Sequence, residues 1–119
     1  MKQRFRLRGR RDFERVMRAQ RVFAGRAIVA FARPNPQGRW RVGVTVSRRL
    51  RGAVPRNRLR RRLREAARAA LLPGPATTGG EGPGFDVVLI GRPVALDLPL
   101  PVLEEETARV RSRLRTLVS

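Results

Sequence analysis

Arginine is the residue type in this chain with the most to offer chemically: 28 of the 119 residues are basic, and all but Lys2 are arginines. A guanidinium is charged at every physiological pH and presents a planar fork of donors that matches phosphate oxygens two at a time. The charge is unevenly placed. Residues 1–68 hold 22 arginines and Lys2 against Asp12, Glu14 and Glu65, a net +20, whereas the remainder holds 5 arginines against 6 acids, a net −1. A folded chain of overall charge +19 repels itself unless a polyanion neutralises it. A solubility device would be spread evenly, so the basic portion reads as a binding surface and the rest as scaffold. Nucleic acid is the leading partner and an acidic membrane surface the second.

Other chemistry is poorly provided for. Protein-based cleavage of a phosphodiester needs a general base and acid, usually histidine, or clustered carboxylates holding metal ions. The sequence has no histidine, tyrosine or cysteine, and its basic portion has three acids. Glu104, Glu105 and Glu106 are consecutive, so on a helix they splay over a wide arc and do not converge on one ion. No catalytic residue and no protein metal site are therefore expected, and disulfides and thiolate sites are excluded. No apolar run approaches the roughly 20 residues that span a bilayer, and Met1–Arg11 lacks the apolar segment of a signal peptide. A cytoplasmic protein without membrane association is expected.

The elements that must position the arginines follow from periodicity. The length suits one domain over 1–119. Residues 10–18 place Phe13, Val16 and Met17 at i, i+3 and i+4 and predict a short first helix, with Asp12 and Glu14 near its favourable end. Residues 26–33, RAIVAFAR, are rich in apolar and β-branched residues and end at the turn PNPQG. Residues 39–47 alternate, with Trp40, Val42, Val44 and Val46 on one face, and the two segments together suggest an antiparallel hairpin. Residues 55–72 carry Leu59, Leu63, Ala66, Ala67 and Ala70 at helical period, with Arg56, Arg60, Arg64 and Arg68 in an i+4 row expected on the opposite side. Each like-charged pair at that spacing costs an isolated helix about 0.2–0.5 kcal/mol, so the row needs an anion. Gly- and Pro-dense residues 73–84 predict a flexible loop, FDVVLIG at 85–91 a buried strand, and 102–117 a last, structural helix with Leu103, Val110, Leu114 and Leu117 on one side.

The most specific signal is the segment SRRLRGAVPRNRLRRRLREA, residues 47–66. It resembles the signature of the ribonuclease P protein family, an AV-x-RNR-x-(K/R)-R-x-x-R-E pattern following a V-S-(K/R)-(K/R) strand end. Val46, Ser47, Arg48, Arg49, Ala53, Val54, Arg56, Asn57, Arg58, Arg60, Arg61, Arg64 and Glu65 supply it in register. Four departures stand out: Arg51-Gly52 replaces the usual Gly-Asn, Arg62 occupies a usually apolar position, Met17 replaces a common aromatic, and Gly91-Arg92-Pro93 follows the usual Arg-Lys-Pro only loosely.

The resemblance implies an α+β fold, a two-layer sandwich of a small mixed sheet and about three helices with a left-handed βαβ crossover, the opposite hand to the usual rule. It implies that Arg48, Arg49, Arg56, Asn57, Arg58, Arg60, Arg61 and Arg64 face a catalytic RNA subunit. Phe13, Met17, Arg26 and Phe31 would line a cleft for the single-stranded 5′ leader of precursor tRNA, since single strands are gripped by aromatic faces and arginines. The spacing of Phe13 and Phe31 fits core packing equally well. The RNA subunit would cleave the leader using Mg²⁺ associated with that subunit, beside one protein monomer in a 1:1 ribonucleoprotein. The rival readings are a structural RNA-binding protein of the ribosomal type and an architectural DNA-binding protein.

Overall fold

A computed structural model describes residues 6–7, 9–36, 38, 40–71 and 84–118, with side chains described as far as Thr116. Along the chain run α1 (Gly9–Met17), β1 (Gln20–Ala24), β2 (Ile28–Asn35), β3 (Arg41–Val46), α2 (Ala53–Ala70), β4 (Gly84–Gly91), a 3-10 turn (Pro93–Leu96) and α3 (Leu100–Val118). The predicted 73–84 loop lies outside the described residues except for Gly84, which opens β4, and the side chain of Leu117 lies outside them too.

Helix α2 begins after Gly52, whose φ of 97° is a conformation that side-chain-bearing residues avoid. Leu59, Leu63, Ala66 and Ala67 are buried as their spacing requires. The arginine row is placed differently from expectation. A helix advances 100° per residue, so an i+4 row drifts by 40° at each step. Arg56, Arg60 and Arg64 start beside the apolar stripe and are half-buried on its flank, while the outermost positions are Asn57, Arg58, Arg61, Glu65 and Arg68.

The sheet order is β1-β2-β4-β3, with β1/β2 and β2/β4 antiparallel and β3/β4 parallel. The expected hairpin between the 26–33 and 39–47 segments therefore does not form: β4 is inserted between them. The reason is in the composition of β4. Its run of apolar residues faces both ways and is buried along nearly its whole length, which suits a central strand covered on two faces. The chain reaches it from its parallel neighbour β3 through α2, the expected βαβ crossover. The true hairpin joins β1 to β2. Strand β1 gave no alternating signal because a bulge between Arg21 and Phe23 lets the consecutive Val22 and Phe23 both be buried.

Helices α2 and α3 pack on one face of the sheet, over Ile28, Ala30, Val42, Val44, Val46, Val87 and Leu89, with Trp40 edge-on to Phe85 at 5.6 Å between ring centroids. This gives the two main layers of the expected α+β fold. Helix α1 crosses the other face and buries Val16 against Leu7 and Val88, with Phe13, Phe31 and Ile90 at the margin. One carboxylate ties α3 to the hairpin. Buried Glu106 accepts hydrogen bonds from the backbone N–H groups of Arg26, Ala27 and Ile28, each at 3.0 Å.

Candidate nucleic-acid interface

The turn from β3 into α2 is built by its own motif. Its first residue is hung from β4 through Ser47 N–H to the Gly91 carbonyl at 2.9 Å. Arg56 then reaches back from the first turn of α2, and its Nη1 donates to the carbonyls of Ser47 (2.9 Å) and Leu50 (2.8 Å). So the first arginine of the RNR triplet brackets the turn, where sequence reasoning had it facing outward with the others. Arg48 and Arg49 project from the bracketed turn and are exposed. Asn57 is exposed and its Oδ1 accepts from Arg60 Nη1 at 2.8 Å, while Arg58 and Arg61 are exposed without an acidic partner among the described residues.

Farther along α2, Arg60 and Arg64 lie on the flank, and Arg64 stands near both Arg60 and Arg6, which bridges to Val42 at the edge of β3. Burial, and then the like charges of Arg6 and Arg60, hold the Arg64 pKa below its ordinary value. An anion placed there would relieve that repulsion. Arg62 leaves the basic surface altogether: it is half-buried on the opposite flank and donates to the Leu98 carbonyl before α3. That accounts for an arginine at a position where apolar residues are usual, since its stem packs and its head finds a carbonyl.

The second predicted surface lies across the sheet. Strand register aligns Phe31, Val88 and Gly43 in one row, and Val29, Ile90 and Thr45 in the next. Helix α1 covers the first: the Phe13 ring sits on Gly43 so closely that a Cβ there would overlap it. Val29, Ile90 and Thr45 in the second row are half-buried. Phe13 and Phe31 are thus both packed and partly open, on the wall between helix and sheet, and Met17 is 41% exposed at the end of α1. Arg26 is exposed on the β1–β2 turn, its backbone held by Glu106. Arg92, which follows β4, joins it: its N–H donates to the Ala27 carbonyl and its Nε to the Gly25 carbonyl, both at 2.9 Å.

At the opposite end of that face, Asp86 accepts from Arg41 through both oxygens (2.9 and 2.8 Å) and from Asn35 Nδ2 at 2.8 Å. The hydrogen bond to Asp86 holds the Arg41 pKa above its ordinary value against the opposing effect of burial, with the charges of Asp86 and Asp12 adding to it. This network seats the start of α1, because Asp12 lies 3.9 Å from Arg41. The three consecutive glutamates separate as their spacing requires: Glu105 pairs with exposed Arg109, while Glu106 turns inward. Among the described residues no three carboxylates gather in a way that could hold a metal ion, and no helix is long and apolar enough to cross a membrane.

Comparison with known proteins places the whole of this architecture. The family model described as Ribonuclease P matches residues 1–115. The ribonuclease P protein component of Roseiflexus castenholzii is 40% identical over 114 residues, covering 95% of this chain and 88% of the relative. That of Ruegeria pomeroyi is 48% identical over 90 residues, covering 73% and 66%. Among solved structures, the ribonuclease P protein of Thermotoga maritima superposes with a TM-score of 0.72 at 28% identity, covering 91% of this chain and 96% of that one. A mutant of the Staphylococcus aureus protein gives the same TM-score at 23% identity over 94% and 89%, a likeness of fold.

Proposed function

From the premise that this chain belongs to the ribonuclease P protein family, and so serves as a protein subunit in removing 5′ leaders from precursor tRNA, we propose how its two surfaces divide that work. Arg48, Arg49, Arg58 and Arg61 take phosphates of the RNA subunit, with Arg60 and Arg64 beside them on the flank and Asn57 among them. Arg56 acts by holding the turn in shape. The groove beside α1, walled by Phe13, Phe31 and Met17 and with Arg26 on the neighbouring β1–β2 turn, takes the single-stranded leader, its apolar wall offering stacking and its arginines charge.

The observation that carries this reading is the placement of Arg48, Arg49, Arg58 and Arg61 outward on a turn and helix whose shape is held internally by Arg56. Such groups neutralise phosphates and release counterions, so binding falls steeply with salt. Phosphodiester cleavage belongs to the RNA subunit and its Mg²⁺ on this reading, in a cytoplasmic 1:1 particle. The protein's share is substrate affinity.

The test is cleavage of a leader-bearing precursor tRNA by a bacterial ribonuclease P RNA at low Mg²⁺, with and without the protein. Stimulation is expected, and Arg58→Ala is expected to abolish most of it. Tight binding to that RNA without stimulation would overturn the assignment in favour of a general RNA-binding role.

A further inference from the structure

Val54 is the one large apolar side chain in the described structure that stands almost free: it is 78% exposed, against 43% for Val94 and 41% for Met17. It sits in the first turn of α2, in the middle of the most basic surface of the molecule. With Asn57, Arg58 and Arg61 it lines a shallow depression of about 330 Å³. Nothing within the fold explains an unburied valine there. Phosphate binding alone does not either, since a methyl-bearing side chain offers an oxyanion nothing.

The chemistry of the four residues fits a ligand that is flat and apolar on its face, polar at its edge and anionic nearby. We propose that this depression receives a single unstacked nucleobase of the RNA subunit, seated against Val54, with the Arg58 and Arg61 guanidiniums over its face or on its flanking phosphates and Asn57 at its edge. The inference rests on the RNA-subunit reading above and refines it from charge to shape. Guanidinium planes stack on splayed bases, and sequence-specific recognition of RNA falls mainly on unstacked bases in loops and bulges. Asn57 is oriented for its part: Oδ1 is engaged by Arg60 Nη1 at 2.8 Å, which leaves the amide N–H groups to donate to a carbonyl or ring nitrogen. The surrounding positive charge argues against an apolar protein partner, for which a ring of arginines is costly to desolvate.

The test separates apolar contact from charge. Affinity for a bacterial ribonuclease P RNA is measured over a salt series for the unaltered protein, Val54→Ser, Val54→Ile and Arg61→Ala. Burying a valine side chain supports a loss of about ten-fold for Val54→Ser, with an unchanged salt slope. Val54→Ile is expected to bind as tightly as the unaltered protein, and Arg61→Ala to lower the slope by about one. Reagents that modify base edges are expected to reveal one base protected by the unaltered protein and open with Val54→Ser. Val54→Ser binding at full affinity, or no Val54-dependent base protection, would overturn this inference while leaving the RNA-subunit reading intact. Failure of the unaltered protein to bind that RNA would overturn both. A Val54-dependent dimer in sedimentation would overturn it in favour of a second copy of the chain.

Discussion

Arg56→Ala isolates the bracketing role from the charge. The substitution removes the donor to the Ser47 and Leu50 carbonyls at 2.9 and 2.8 Å. A hydrogen bond from a charged group contributes about 1.5–3 kcal/mol when its loss leaves a buried partner unsatisfied. Here both bonds come from one nitrogen of a half-buried side chain, and water can reach the freed carbonyls, so the expected cost is about 1–2 kcal/mol for the pair. That is roughly a five- to thirty-fold change in the folded-to-unfolded ratio. Urea denaturation in a buffer free of multivalent anions reads it as a lowered midpoint at constant m. Arg56→Lys keeps the charge, but its ammonium ends one bond short of Nη1, and it recovers less than half of the shift. Arg58→Ala removes an exposed guanidinium and leaves the midpoint unchanged. Arg58→Ala lowers the salt slope of RNA binding by about one, whereas Arg56→Ala, which removes a bracket and not a phosphate contact, leaves the slope nearly unchanged. A midpoint for Arg56→Ala equal to that of Arg58→Ala would refute the bracket and return Arg56 to the outward-facing set.

Two further substitutions probe the supports of the second surface. Glu106→Gln replaces an acceptor of three backbone N–H groups with an amide that must turn its own N–H groups toward them, and is expected to cost about 2–4 kcal/mol in urea denaturation; a cost below about 0.5 kcal/mol would show the turn to be held by other contacts. Gly43→Ala puts a methyl into the Phe13 ring and displaces α1, an overpacking cost of about 1–3 kcal/mol. It is expected to narrow the affinity gap between leader-bearing and leaderless precursor tRNA without changing affinity for the RNA subunit, and an unchanged gap would separate α1 from leader binding.

What could be read in the sequence was what is local. The α2 stripe of Leu59, Leu63, Ala66 and Ala67, the turn before it and the basic face are set by residues within one or two turns of each other. Strand pairing is not local. The PNPQG turn between the segments of β2 and β3 looked like a hairpin loop, and nothing in either strand announced that β4, some 40 residues downstream of β3, would part them. Phe13 and Phe31 could not be divided between core and cleft because each is in part both. Glu106 was hidden by its neighbours: an acidic run reads as solvated, and only the position of the β1–β2 turn makes its last carboxylate an anchor. Arg56 was legible as an arginine of the motif, but its return to carbonyls six and nine residues earlier depends on the turn geometry that Gly52 permits.

The two proposed surfaces share one end of the sheet, and the way that end is tied bears on affinity. Three chain segments meet there: the β1–β2 turn with Arg26, the end of β4 with Arg92, and the start of the Arg48-Arg49 turn. They are joined edge to edge by Arg92 N–H to the Ala27 carbonyl and Ser47 N–H to the Gly91 carbonyl. Helix α2 is seated on the same spot, since a Cβ at Gly91 would come within 2.9 Å of Leu59 and Leu63. Like charges gathered at such a junction would spread apart if their backbone were loose. Backbone hydrogen bonds, the Arg56 bracket and the Glu106 carboxylate fix that backbone before any anion arrives, so an RNA that neutralises the arginines meets them with little backbone left to order. The exposed heads of Arg48, Arg49, Arg58 and Arg61 are solvated, and each must give up about 0.5–1.5 kcal/mol of side-chain freedom on binding. Both pairs stand on an ordered frame, the bracketed turn for Arg48 and Arg49 and helix α2 for Arg58 and Arg61, so the entropy lost on binding RNA is that of the side chains and not of the backbone.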